Sequence, residues 1–213
     1  MFVKICGITR GSDAQAAVAL GASAIGFIFW PKSPRVVTPQ QARAIVRDLP
    51  PFVTPVGVFV NQPPEQVNDV AADVGLGTVQ LHGDEEPDDA ARIVRPVMKA
   101  VSRIDGETAE RWPLRVLLLV DADDRDRRGG TGARADWATA ARLSASRPIL
   151  LAGGIDPANV AQAARQVRPF GIDVSSGVEV SPGVKDVERM RQLFAAIREI
   201  DHQQPATARL GAR

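Results

Sequence analysis

The residues best suited to chemistry are a thiol and a carboxyl. Cys6, followed by Gly7, is the sole cysteine among 213 residues. A thiol acts as a base only when deprotonated, and a free thiol titrates near about 8.5. Lys4 stands two residues earlier, on the same face of an extended strand. An ammonium there would favour the thiolate. Taken alone, Cys6 would be a small buried apolar residue, and Lys4 an interior charge paired with a carboxylate. Asp121 follows the apolar run Leu117-Leu118-Leu119-Val120, and a carboxyl shielded in that way holds its proton longer. The acidic and basic stretch 123–128 beyond it reads as solvated loop. A thiol and a carboxyl flanking one cavity can act as a general base and a general acid.

Two glycine-bearing stretches suit an anion. They are Leu151-Ala152-Gly153-Gly154-Ile155-Asp156 and Asp173-Val174-Ser175-Ser176-Gly177. Glycine lets a ligand oxygen approach the main chain, and N–H groups at a following helix start favour negative charge. Gly153, Gly154, Ser176 and Gly177 are therefore the candidate phosphate ligands, against the plainer reading of tight turns. Arg35, in Ser33-Pro34-Arg35, offers a fork for a planar carboxylate. His82 is either a site histidine or a hydrogen-bonding residue at a strand end. Gly129-Gly130-Thr131-Gly132 lacks the Gly-Lys-Ser/Thr of a nucleotide loop and reads better as the hinge of a lid.

The elements that must carry these residues alternate along the chain. Apolar runs mark strands at Phe2–Ile8, Ala24–Trp30, Pro55–Val60, Thr78–His82, Val97–Val101, Val116–Asp121, Ile149–Ala152 and Ile172–Ser175. Several are continuously apolar, as expected of parallel strands covered by helices. Between them, Ala42, Ile45, Val46 and Leu49 have helical spacing, as do Val67, Val70, Ala71 and Val74, and Met190, Leu193, Phe194 and Ile197. Thr38-Pro39 with Gln41 reads as a capping box, and Asp156-Pro157 repeats the cap-plus-proline signal. The stretch 102–113 is short and polar, so a fifth helix would be reduced. Eight strands alternating with helices predict an α/β fold, a single (β/α)8 barrel of parallel strands over residues 1–200, with an open doubly wound sheet as the rival. Residues 201–213 read as a flexible tail. In such a barrel the strand ends form the site, and the loops after strands seven and eight commonly hold phosphate.

Composition narrows the partners. There are 26 Lys plus Arg against 25 Asp plus Glu, so no net field favours nucleic acid or an anionic membrane, and a small molecule is the expected partner. No run approaches the roughly 18 apolar residues of a membrane span. One cysteine and an N-terminus that reads directly as a strand fit a cytoplasmic enzyme. Two histidines and one cysteine are too few for a structural zinc cluster. A monomer is expected, with a homodimer as the alternative.

Several ordered motifs together resemble the phosphoribosylanthranilate isomerase family. They are Lys4-Ile5-Cys6-Gly7-Ile8-Thr9, Gly26-Phe27-Ile28-Phe29 with Ser33-Pro34-Arg35, Val56-Gly57-Val58-Phe59-Val60-Asn61, Val79-Gln80-Leu81-His82-Gly83-Asp84, Leu151–Ile155, Asp173–Glu179 and Ser181–Asp186. The resemblance implies an Amadori rearrangement of N-(5-phosphoribosyl)anthranilate in tryptophan biosynthesis, without a cofactor. It implies Asp121 as the acid that protonates the ribose ring oxygen and Cys6 as the base that takes the C2′ proton. Arg35 would hold the anthranilate carboxylate, and Gly153, Gly154, Ser176 and Gly177 the phosphate. The family often carries Lys-Thr-Phe-Asp-Trp after its glycine-rich loop, whereas this chain has Ala133-Arg134-Ala135-Asp136-Trp137. The alternatives are a histidine-pathway or bifunctional isomerase, expected to carry aspartate in place of Cys6, and a non-catalytic barrel that binds a phosphorylated ligand.

Overall fold

The computed structural model describes residues 1–102, 110–121 and 136–203, the last three without their side chains. Eight parallel strands close into a barrel in sequence order: β1 (Phe2–Ile5), β2 (Ala24–Ile28), β3 (Thr54–Phe59), β4 (Thr78–Leu81), β5 (Val97–Val101), β6 (Leu117–Val120), β7 (Ile149–Leu151) and β8 (Gly171–Val174). The ring closes where Lys4 of β1 pairs with Asp173 of β8. Seven helices are described: α1 (Gly11–Leu20), α2 (Pro39–Val46), α3 (Pro64–Val74), α4 (Pro87–Ala91), α5 (Trp137–Ser144), α6 (Val160–Val167) and α7 (Val187–Gln203). A hairpin, β9 (Glu179–Ser181) with β10 (Val184–Lys185), is inserted between β8 and α7. None of the described helices is long and apolar enough to cross a membrane.

Period-two alternation sorts each strand between two cores. Val3 and Ile5, Leu118 and Val120, Ile149 and Leu151, and Ile172 and Val174 all join the large cluster that includes the helices' buried faces. Met98, Ala100, Leu119, Leu150 and Ala152 form a separate small cluster, packed with Phe2 and Leu117. These are the alternate positions, so they fill the barrel interior. Because both faces are buried, the strands read as continuous apolar runs.

All the strands except β5 are shorter than expected at their C-terminal ends. Cys6, His82, Asp121 and Ala152 each still donate an N–H to a neighbouring strand, at 2.8, 2.8, 3.1 and 2.7 Å, but lie beyond the regular ladder. In β1 the break is Gly7, whose φ of +72° turns the chain out of the extended region. The Thr38 box forms as expected, with Gln41 N–H on the Thr38 hydroxyl and the Gln41 side chain on the Thr38 N–H. Asp156 departs from expectation. Its carboxylate accepts from the N–H groups of Ala158 and Asn159, so it caps a turn, and α6 begins only at Val160. At the C-terminus α7 runs through Gln203, past the expected end at residue 200. The reduced fifth helix, the hinge at 129–132 and most of the tail fall on 103–109, 122–135 and 204–213, outside the described residues.

Candidate active site

A pocket opens where the strands end. Cys6, Arg35, His82 and Asp121 all line it, together with Gln80, Asp173 and Ser175. Cys6 enters from the end of β1 and Asp121 from the end of β6, as strand-end residues of a barrel should. Room for the sulfur comes from Gly26 on β2: a β-carbon there would sit 2.8 Å from Cys6 Sγ and 3.0 Å from Lys4 Cε.

Lys4 stands beneath the pocket rather than in its wall. It is fully buried, and its ammonium donates to Asp173 Oδ1 and Gln80 Oε1, each at 2.9 Å. Its place is the interior ion pair with a carboxylate, one of the readings the sequence allows, and it does not line the pocket as a substrate-binding residue would. Burial pulls its pKa down, but Asp173, with help from Cys6, leaves it above the ordinary value. Lys4 is thus a permanent cation inside the barrel. Its pull on Cys6 has the expected direction but is outweighed. Burial pushes the Cys6 thiol up, Lys4 pulls it down, Asp173 adds to the rise, and the net shift is upward. A thiol enclosed by apolar walls is poorly placed to hold charge, and one ammonium already committed to Asp173 does not reverse this.

His82 makes hydrogen-bond contacts at the end of its strand and faces the pocket. It lines the pocket, its Nδ1 lies 2.7 Å from the Gln80 amide nitrogen, and its Nε2 lies 3.4 Å from Asp121 Oδ2. The loop that carries it is fixed by Glu85. That carboxylate accepts the N–H groups of Asn61 and Gly83 and pairs with Lys99 at 2.7 Å.

Arg35 is 7% exposed, and its fork is partly committed. Nε and Nη2 reach both oxygens of Glu179 at 2.8–3.1 Å. Glu179 also accepts from Lys185 at 2.7 Å and from the Gly183 N–H at 3.2 Å. Two of the five guanidinium hydrogens suffice for Glu179, so the Nη1 edge is not engaged by it. Glu179 thereby anchors Arg35 from the β9–β10 hairpin. Gly7 passes so close that a β-carbon would lie 2.6 Å from Arg35 Cδ.

The four phosphate candidates form one unit beside the pocket, not part of its wall. Gly153 and Gly154 have φ of +75° and +64°, a left-handed pair that L side chains resist. Asn159 holds the turn by donating to the Gly154 carbonyl at 2.7 Å. Ser176–Val178 form a single 3₁₀ turn, and Gly177 packs so tightly on the Ile155 carbonyl that a β-carbon would lie 2.0 Å from its oxygen. The neighbouring Ser175 hydroxyl is buried without a partner among the described residues.

Gln80, Glu179, Gly26 and Ser175 were not singled out individually by sequence reasoning. A polar glutamine inside the otherwise apolar strand Thr78–Leu81 was the one available signal.

Known proteins resemble this chain in sequence and fold. The family described as "N-(5'phosphoribosyl)anthranilate (PRA) isomerase" matches residues 3–196. The N-(5'-phosphoribosyl)anthranilate isomerase of Citrifermentans bemidjiense is 48% identical, over 93% of this chain and 97% of the relative. That of Magnetococcus marinus is 46% identical, over 92% and 94%. The crystal structure of phosphoribosyl anthranilate isomerase from Thermus thermophilus superposes with a TM-score of 0.87 at 43% identity, covering 94% of this chain and all of that one. Another isomerase structure, in complex with reduced 1-(o-carboxyphenylamino)-1-deoxyribulose 5-phosphate, superposes at 0.82 with 40% identity, covering 93% and 99%.

Proposed function

The chain belongs to the phosphoribosylanthranilate isomerase family, and from that premise we propose how its residues divide the work. The reaction converts N-(5-phosphoribosyl)anthranilate into 1-(2-carboxyphenylamino)-1-deoxyribulose 5-phosphate, a step of tryptophan biosynthesis. Asp121 gives its proton to the ribose ring oxygen, the C1′–O bond breaks, and a Schiff base forms between C1′ and the anthranilate nitrogen. Cys6, as thiolate, takes the proton from C2′. The electron pair moves to form the enolamine, which tautomerises to the ketone. Atoms and charge balance without a cofactor.

The observation that carries this reading is the shared pocket: Cys6 and Asp121 reach it from different strands, and Arg35 lines it beside them. An acid and a base must act on atoms two bonds apart, so they must approach one substrate from different directions. Arg35 takes the anthranilate carboxylate on its Nη1 edge, already oriented by Glu179. The backbone around Gly153, Gly154, Ser176 and Gly177 takes the phosphate. Preset geometry of this kind lowers the cost of binding. The enzyme works in the cytoplasm as a monomer, where its single thiol stays reduced.

Cys6 stands where an aspartate is expected in histidine-pathway relatives, which favours one substrate over two. Turnover assayed with N-(5-phosphoribosyl)anthranilate and, separately, the histidine-pathway phosphoribosyl substrate tests this. The first alone is expected to react. Turnover of both would select a bifunctional enzyme, and turnover of neither would leave a binding protein.

A further inference from the structure

We propose that Gln80 is a positioning residue for the acid: it converts the fixed charge of buried Lys4 into a fixed tautomer of His82, and so aims an N–H at Asp121. This rests on the assignment of Asp121 as the proton donor.

The chain of contacts leaves no choice at any link. Lys4 has three donors and no acceptor, is fully buried and is paired with Asp173. The Gln80 atom 2.9 Å from its nitrogen must therefore be the amide oxygen. That orients the amide nitrogen toward His82, 2.7 Å from Nδ1. An amide nitrogen only donates, so Nδ1 must accept, and the proton of the neutral ring lies on Nε2. Nε2 faces Asp121 Oδ2 at 3.4 Å. When Asp121 releases its proton, the new carboxylate finds a donor already aligned. Such contacts are long in ligand-free sites and shorten as charge develops. Each hydrogen bond in the series also polarises the next, outward from the ammonium.

Lys4 thus acts on both halves of the site. It interacts directly with the Cys6 sulfur and reaches Asp121 through Gln80 and His82. In both places its charge favours the anionic partner. The geometry explains why a glutamine stands inside an apolar strand: its neutral amide accepts from Lys4 at the oxygen and donates to the histidine from the nitrogen.

The test exchanges donor for acceptor at nearly constant shape. In Gln80→Glu the carboxylate accepts from Lys4 and also from the ring, which moves the histidine proton to Nδ1. Nitrogen-15 couplings of the histidine side chains read this directly in ligand-free enzyme, and His202, the only other histidine, is assigned through His202→Gln. The expected result is an Nε2 proton in wild type, an Nδ1 proton in Gln80→Glu, and kcat lowered by roughly 10- to 100-fold with KM little changed. Gln80→Met, which removes the donor without adding charge, is expected to give mixed tautomers and a smaller loss; it also serves if the glutamate variant fails to fold. An Nδ1 proton in active wild-type enzyme, or wild-type kcat in either folded variant, overturns the relay alone. Absence of wild-type turnover overturns the assignment of Asp121, and with it the relay's role, while the tautomer is still read.

Discussion

Arg35 and Glu179, 144 residues apart, meet in a two-pronged ion pair whose nitrogen–oxygen distances are 2.8–3.1 Å. The carboxylate orients a buried guanidinium that lines the pocket. Burial pushes the Glu179 carboxyl up, but hydrogen bonds from Arg35 and the charge of Lys185 outweigh it and hold the group below the ordinary carboxylate range. A carboxyl lowered by folding contributes stability that is fully present above its unfolded value, near about 4.3, and is lost as pH falls through the lower folded value. Denaturant titrations between neutral and acidic pH should show wild-type stability falling along that window. Glu179→Gln should lose roughly 3 kcal/mol at neutral pH, because Arg35 and Lys185 stay buried without a counter-charge, and should then fall less steeply with acid. Parallel acid profiles for the two proteins would contradict this account.

The same pair sets the expectation for Arg35→Lys. An ammonium cannot hold Glu179 along one edge and a substrate carboxylate along another. Losing a charge-assisted bond of about 1.5 kcal/mol should raise KM by about tenfold, with a smaller change in kcat. Steady-state kinetics separate the two constants, and an unchanged KM would remove Arg35 from substrate binding.

Cys6 should be a slow nucleophile at neutral pH. Burial holds its pKa above the ordinary thiol value despite Lys4, so at any given pH its thiolate fraction is smaller than that of a free thiol. As the sole cysteine, it gives an unambiguous signal in alkylation by iodoacetamide followed by mass spectrometry. The rate should rise with pH beyond the point where a free thiol levels off, and kcat/KM should rise with the same thiolate fraction on its alkaline side. Lys4→Met removes the cation that most opposes the shift, Lys185 being the lesser, so it should slow alkylation further. Alkylation that is fast and pH-independent around neutrality would show a stabilised thiolate instead.

Gly26→Ala tests how closely Cys6 is seated. The added methyl would lie 2.8 Å from Sγ and 3.0 Å from Lys4 Cε, and overpacking of this kind costs about 1–3 kcal/mol. Turnover should fall more than thermal stability, since both displaced atoms belong to the site. A variant with normal kcat would mean that the sulfur has room to move without consequence.

Much of this was legible in the chain because the physics was local. Continuous apolar runs betray strands buried on both faces, and the Thr38 box needs only four residues. Cys6 and Asp121 stand out as polar residues at the ends of apolar strands. What escaped depends on partners distant in sequence. Gln80 finds Lys4 across 76 residues and Glu179 finds Arg35 across 144, and nothing near either residue announces the pairing. Lys4 was legible as a charge paired with a carboxylate, but not that its partner is Asp173, 169 residues away. The strand ends were overextended because apolar composition continues past the point where Gly7 turns the backbone away.

The acid–base pairing of Cys6 with Asp121 is decided by single-turnover kinetics of Cys6→Ala and Asp121→Ala on N-(5-phosphoribosyl)anthranilate. Each replacement should lower the chemical step by roughly 100- to 10,000-fold, while equilibrium binding of a reduced product analogue stays within reach of wild type, since Arg35 and the glycine loops are untouched. Near-normal turnover in either folded variant would contradict the claim.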